Sequence, residues 1–241
     1  FLLTNSAWIS IALFGSLPFL LSNIEMSFID AFFESTSGIT TTGATVIENL
    51  EAKSHGILIW RALLQWLGGV GIIVMALAVL PMLSIGGMQL FKTESYETPD
   101  KVVPKAASFA AGISIVYITL TVIWALMLWG AGMPMFDSIA HAMTTLATGG
   151  YSTKSESLAA FNSSTIEIII IFGMLVGSLP FVHYLTLSKN GLKNLIKDDQ
   201  VKLFLTLVFF VVLIMSLYLS SNNIPYLEAL RLASFNVISI I

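Results

Sequence analysis

Two short segments carry residue types able to take the place of water around a cation. One reads Thr40, Thr41, Thr42, Gly43, Ala44, Thr45, and the other reads Ala147, Thr148, Gly149, Gly150, Tyr151, Ser152. Consecutive threonines are crowded at χ1 in a helix, and glycine favours other dihedrals. Both segments are therefore expected to be unwound. An extended run of Thr and Gly exposes carbonyl and hydroxyl oxygens at close intervals, and such oxygens can replace a hydration shell. The competing reading is a pair of polar external loops. Two segments in register, each after a half-length helix, favour a pore lining.

The elements that must position them are apolar. The 241 residues are 56% hydrophobic and 10% charged, against about 25% charged in a soluble domain. Five stretches lack Asp, Glu, Lys and Arg: Phe1 to Ile24, Ala62 to Phe91, Ala106 to Phe136, Ile168 to Ser188 and Leu203 to Leu227. Each reaches the roughly 20 residues that cross a bilayer. A water-soluble fold cannot hide five such runs. Between them lie Phe28 to Ile39, Phe136 to Leu146 and Leu227 to Ile241. Helices of about 12 residues are only about 18 Å long, half a bilayer. The order is span, short helix, span, repeated.

Gly150 placed over Gly43 gives an offset of 107, which also pairs Asp30 with Asp137, Ser37 with Thr144, Thr41 with Thr148 and Thr45 with Ser152. Ser239 over Ser37 gives a weaker third match, with Phe235 over Phe33 and Asn236 over Glu34. The expected fold is an all-α membrane protein: repeated span–pore-helix–span units around an ion pore, truncated in the third unit. The expected divisions are 1–85, first unit; 86–104, cytoplasmic connection; 105–188, second unit; 189–202, cytoplasmic connection; and 203–241, incomplete third unit. Phe1 and Ile241 both fall inside apolar runs, so both ends are expected to be cuts, with the third filter glycine four residues beyond Ile241. A signal peptide is not expected, because no basic region precedes the first run.

Charge gives the orientation. Lys92, Lys101, Lys105, Lys189, Lys193, Lys197 and Lys202 lie on the two joins between units, seven of the eleven basic residues. The positive-inside rule makes that face cytoplasmic. The other face holds Lys53, Arg61, Lys154 and Arg231 against nine of the fourteen acids, a balance of 4 − 9 = −5, compared with 7 − 5 = +2 inside. An acidic mouth concentrates cations; a solvated polar rim is the plainer reading.

FFESTSGITTTGAT, LLQWLGGVGIIV, LPMLSIGGMQLFKTES and TTLATGGYST, in that order, resemble the membrane subunit of Trk-type potassium-uptake systems, the Trk/Ktr/HKT superfamily. The resemblance covers the whole chain. It implies four span–pore-helix–span units around one pore in the cell (inner or plasma) membrane. It also implies a homodimer embedded in lipid, with a cytosolic nucleotide-binding regulatory subunit. It places filter strands at Thr41, Thr42, Gly43 and Ala44, and at Thr148, Gly149, Gly150 and Tyr151. Backbone carbonyls of Thr42, Gly43, Gly149 and Gly150 are expected to coordinate the transported potassium ion. Glycine at Gly43 goes with potassium selectivity in this superfamily, serine with sodium permeation. The third filter, the fourth unit and the gating loop are absent from the chain.

The other class of function is a secondary transporter of a small solute or of sodium, built on repeats with broken helices. Filter strands should all enter from one face; inverted repeats would enter from both. No enzyme is expected, since there is no HExxH, nucleophile elbow, Walker loop or cysteine. No organic cofactor or nucleic acid is expected. Arg61 is expected to snorkel to the interface, with pairing to an acid near the mouth as the other reading. His141 is expected to orient the second pore helix; His55 and His183 look isolated. Gly68, Gly69, Gly71, Gly173 and Gly177 are expected to serve close helix packing.

Overall fold

The computed structural model describes residues 2–78, 99–181, 183–185, 195 and 197–240. Among them the elements are α1 (Leu2–Leu21), α2 (Phe28–Ile39), α3 (His55–Ala78), α4 (Pro99–Gly130), α5 (Met135–Leu146), α6 (Ser164–Ser178), α7 (Asp199–Ser221) and α8 (Tyr226–Ile240). Short 3-10 turns lie at Leu50–Ala52 and Ser157–Phe161. Most of the expected connection at 86–104, the segment LPMLSIGGMQLFKTES, and Lys92, Lys189 and Lys193 lie outside the described residues.

The polarity of the fold is that of a membrane protein. Ile115, Ile118, Val122, Leu126 and Trp129 of α4 are exposed, as are Leu203, Phe209, Phe210, Ile214 and Leu217 of α7. Water would not tolerate apolar faces of that extent. The interior holds the polar groups instead: Glu34, Ser35 and Ser37 of α2, and Asp137, Ser138, His141, Thr144 and Thr145 of α5, are buried. Stretches long and apolar enough to span lie at His55–Ile73, Ala110–Gly130 and Asp199–Ser221; the apolar stretches at Asn5–Leu21 and Ser164–Ser178 are shorter.

Two expected spans end differently from their charge-free runs. The run from Ala106 to Phe136 does not stay helical: α4 stops at Gly130, and Gly132 turns the chain at φ +98°. The run from Ile168 to Ser188 breaks at Leu179, which is extended (φ −80°, ψ 149°). Pro180 follows it, and a residue before proline is pushed out of the helical region.

Each half-length helix is wedged among longer ones. α2 packs on α1 and α3, α5 on α4, α3 and α6, and α8 on α7 and α6. Ser27 starts α2 by accepting the Asp30 N–H at 3.1 Å, satisfying one of the free donors at a helix start. Ala12, Phe19, Ala31, Ile39 and Leu64 form the first unit's core; Ile113, Tyr117, Trp124, Leu146 and Ile170 belong to the second's. Ala62, Ala140 and Met143 join the units.

Glycine decides how close the outer helices come. A Cβ at Gly68 would fall on the Ile39 carbonyl, and one at Gly177 would lie 3.1 Å from the Leu146 carbonyl. Ile39 and Leu146 are 107 apart, while Gly68 and Gly177 are 109 apart. The second unit therefore carries two extra residues between its pore helix and the helix that follows. The same register pairs Leu64 with Gly173: a Cβ at Gly38 would sit 2.9 Å from Leu64, and one at Gly173 would sit 2.7 Å from Thr145. Bulk has changed sides between the repeats while the interhelical space stays filled. Gly69 also packs closely, against Tyr117 and Ala147, whereas among the described residues nothing lies within 4 Å of a Cβ at Gly71.

Candidate functional site

The repeat is clearest where each pore helix ends. At the close of α2 the N–H groups of Thr40, Thr41 and Thr42 donate to the carbonyls of Thr36, Gly38 and Ser37, at 3.0, 3.0 and 2.9 Å. At the close of α5 those of Ala147, Thr148 and Gly149 donate to Met143, Thr145 and Thr144, at 3.1, 3.1 and 2.9 Å. Every one of these six partners shifts by 107. The pattern is a Schellman cap, whose left-handed position usually belongs to glycine. Here it is held by Thr41 (φ 55°) and Thr148 (φ 52°). A β-branched residue with positive φ is an outlier costing about 1–2 kcal/mol. Two residues further on, Gly43 (φ 80°) and Gly150 (φ 78°) take the next left-handed turn.

Both strands line one cavity of about 700 Å³, which Thr42, Gly43, Thr148, Gly149 and Gly150 share with Met174 of α6 and Ser239 of α8. They approach closely enough that a Cβ at Gly43 would land on the Gly149 carbonyl oxygen. Thr42 and Gly150 are exposed, and Gly149 is buried.

The ends of the strands face the scaffold. Ala44 turns its carbonyl inward, where it accepts from Ser37 Oγ at 2.6 Å and from the Tyr151 hydroxyl at 3.2 Å. Tyr151, 4% exposed, also donates to the Glu34 carbonyl at 3.0 Å, so its phenol binds the second strand to the first pore helix. Gly149 presents a carbonyl that already accepts one hydrogen bond, from Gln65 Nε2 at 2.7 Å.

Past each strand a hydroxyl repeats at the offset of 107. Thr45 Oγ1 accepts from the Ile47 N–H at 3.1 Å and donates to Glu34 Oε1 at 2.9 Å. Ser152 Oγ accepts from the Lys154 N–H at 3.0 Å and meets His141 Nε2 at 3.0 Å. Glu34 and His141 are equivalent positions with different chemistry. His141 also contacts the Asp137 carbonyl through Nδ1 at 2.8 Å, so it ties helix to strand as expected. Asp137 accepts from Thr153 Oγ1 at 2.6 Å.

Arg61 does not snorkel. It is 1% exposed, and its Nε donates to Glu34 Oε1 at 2.7 Å. Its Nη1 donates to the Ser152 carbonyl at 2.9 Å, and its guanidinium lies 4.1 Å from the centre of the Tyr151 ring. The second reading of Arg61, pairing with an acid, is the one the structure bears out. Glu34 is buried, and a lone charge there would be costly. His55 and His183 are not isolated either: His55 lies 4.2 Å from Phe136 ring to ring, and His183 Nε2 is 3.0 Å from Asp198.

Sequence reasoning did not single out Gln65. It is fully buried on α3, donates to Gly149 and accepts the Tyr151 N–H at 3.1 Å. Its signal was available: it is an amide inside a charge-free run, one turn from Arg61.

Beyond the two Thr/Gly strands the loops of the two units meet. Glu51 accepts from the Ser155 N–H and from Ser155 Oγ, each at 2.7 Å, and Ser155 Oγ accepts from the Leu50 N–H at 3.1 Å. Both Thr/Gly loops therefore open at the same end of the helices, as parallel repeats require and inverted repeats do not.

The family described as "TrkH: Cation transport protein" matches residues 1–240. The chain is 39% identical to the Trk system potassium uptake protein TrkI of Halomonas elongata, covering 100% of this chain and 49% of that protein. It is 41% identical to the Trk system potassium uptake protein TrkH of Salmonella typhimurium, covering 99% and 51%. The crystal structure of the potassium transporter TrkH from Vibrio parahaemolyticus superimposes with a TM-score of 0.86 at 37% identity, over 97% of this chain and 48% of that one. The chain spans about half the length of these relatives. With its apolar spans, wedged half-helices and paired Thr/Gly strands, it is a multi-span membrane protein that belongs to the TrkH cation transport family.

Proposed function

We propose that the protein containing this chain takes up potassium across the cell membrane, and that this chain supplies two strands of its selectivity filter. The observation that carries the proposal is the pair of strands 107 residues apart. They share the same cap bonds and the same left-handed positions, and they line one cavity. Potassium is the cargo. The carbonyls of Thr42, Gly43 and Gly150 are its proposed ligands, with Gly149 contributing the second lone pair of a carbonyl already bonded to Gln65. Thr41, Thr148, Ala44 and Tyr151 complete the strands, the first two at the caps and the last two against the scaffold.

The rest of the proposal follows the resemblance: units divided at 85, 105, 188 and 203, a homodimer in lipid, the lysine-rich joins on the cytoplasmic side, and a cytosolic nucleotide-binding regulatory subunit. Two strands supply half the coordination of a four-unit filter, so the remaining ligands come from elsewhere in the same protein. The secondary-transporter reading is disfavoured by the Glu51–Ser155 contact, which puts both loops at one end.

The test is potassium-dependent growth of cells lacking potassium uptake, with sodium as competitor. The complete protein should restore growth, and Gly43→Ser should weaken discrimination against sodium while leaving membrane insertion intact. Unchanged potassium affinity together with unchanged sodium rejection in Gly43→Ser would remove these residues from the filter.

A further inference from the structure

We propose that Gln65 is a positioning residue that sets the ion selectivity of the second filter strand. This rests on the filter reading above and deepens it.

The carboxamide bonds the strand twice, donating to the Gly149 carbonyl and accepting from the Tyr151 N–H. An adjacent β-strand engages residues i and i+2 in the same way, so one side chain acts as a strand partner inside a site with no sheet. The side chain is fully buried on a long helix, and its place does not depend on a loop. Four residues earlier on that helix, Arg61 holds the Ser152 carbonyl. Three residues of the second strand and its exit, Gly149, Tyr151 and Ser152, are thus fixed from one helix. The clamp also explains the residue it grips, because a Cβ at Gly149 would fall on the Gln65 carboxamide.

Among the described residues the clamp has no counterpart on the second unit's outer helix. In the register set by Gly68 and Gly177, Gln65 corresponds to Met174 (65 + 109 = 174) and Arg61 to Ile170 (61 + 109 = 170). Both counterparts line the cavity, and neither side chain can donate a hydrogen bond. Where discrimination comes from the size of the carbonyl cage, its ligands must not follow a smaller ion inward, and Gln65 supplies that restraint to one strand through the bond made to the carbonyl itself.

The experiment uses the complete protein in cells lacking potassium uptake, with potassium affinity and sodium inhibition both measured. Gln65→Met copies the second unit's residue and removes both bonds. It should reduce potassium-over-sodium discrimination about tenfold at every external pH, the scale of one lost buried hydrogen bond. Gln65→Glu offers a protonated carboxyl that can donate to Gly149 and accept from Tyr151. Only the protonated carboxyl can donate to the Gly149 carbonyl, so discrimination should approach wild type at acid external pH and fall toward the Gln65→Met level at alkaline pH. A merely structural role would lower transport of all ions together and give no such pH profile. Wild-type discrimination in Gln65→Met overturns the proposal, and so does a flat pH profile in Gln65→Glu. Should Gln65→Met fail to reach the membrane, the Gln65→Glu profile alone decides. Gly43→Ser in the same assay separates the two readings. If it weakens discrimination while both Gln65 variants keep it, Gln65 is excluded and the filter stands; if it too has no effect, the filter assignment itself fails.

Discussion

Arg61 Nε lies 2.7 Å from Glu34 Oε1, and the two side chains are 1% and 0% exposed. The pair joins α3 to the first pore helix, and through the Ser152 carbonyl it reaches the second Thr/Gly loop. Removing one partner leaves a buried charge unpaired, at a cost of about 3–5 kcal/mol. Arg61→Met should therefore lower the thermal midpoint of the detergent-purified protein sharply, as should Glu34→Gln. The double variant should be less damaged than the two single losses added together. Additive losses in that cycle would show that the ion pair is not coupled.

The left-handed threonines give a different signature. Thr41 and Thr148 hold cap positions that suit glycine. Thr41→Gly should relieve roughly 1 kcal/mol of backbone strain and leave the thermal midpoint equal or higher, while potassium discrimination weakens because the strand loosens. Thr42→Gly, at a position without positive φ, should gain nothing in stability. Parallel melting and uptake curves check this; a large destabilisation in Thr41→Gly would remove strain from the account.

Gly68 and Gly71 sit on the same helix but differ in what they touch. A Cβ at Gly68 lands on the Ile39 backbone, whereas one at Gly71 meets nothing within 4 Å. Gly68→Ala should force α3 away from the end of the pore helix and abolish uptake. Gly71→Ala should be tolerated, with a gain of up to about 1 kcal/mol from helix propensity. Equal effects of the two changes on uptake and expression would contradict the packing described.

The outer clasp can be trapped chemically. These 241 residues contain no cysteine, and Glu51 Oε2 lies 2.7 Å from Ser155 Oγ. Because cysteine is shorter than the glutamate it replaces, the pair Glu51→Cys and Ser155→Cys should be joined by a short thiol-reactive crosslinker, seen on a gel as two fragments held together after cleavage between the units. Failure to crosslink, with each thiol labelled from opposite faces, would restore the inverted-repeat reading.

Acid should loosen the same clasp. The hydrogen bonds from the Ser155 side chain and then its backbone hold the Glu51 carboxyl below its ordinary value of 4.5. A depressed folded pKa contributes stability that is present above the unfolded value and lost as pH falls through the folded one. The contact should be intact at neutral pH and weaken only below about 4.5. A smaller protection factor for the Ser155 amide in acid, measured against its intrinsic exchange rate and unchanged with pH in Glu51→Gln, would report it.

The pore helices were legible nearly to the residue, at 28–39, 136–146 and 227–241 against Phe28–Ile39, Met135–Leu146 and Tyr226–Ile240. They are short, the first is capped locally by Ser27, and the first two are ended by Thr/Gly runs. Span ends were less legible because the absence of charge marks apolarity and not helicity, and Gly132 and Pro180 turn the chain inside uncharged sequence. The strands were found from their own composition. The residues that hold them were not, because Arg61 and Glu34 are 27 positions apart and Gln65 and Gly149 are 84 apart. Which face of α3 meets which strand is a property of the packing, and only the unexplained polar groups in apolar helices hinted at it.

The grip of α3 on the second strand also has a direction in time. Arg61 and Gln65 precede the loop they hold by more than eighty residues, so during synthesis the brace is in the bilayer before Gly149 emerges. The first strand, in contrast, draws the Tyr151 hydroxyl to its Ala44 carbonyl only once the second unit has arrived. The first unit can therefore act as a template on which the second loop is cast, and the second, on arrival, closes the first. A pore built this way has an order of assembly written into its hydrogen bonds, and damage to α3 should be felt first in a loop it does not itself contain.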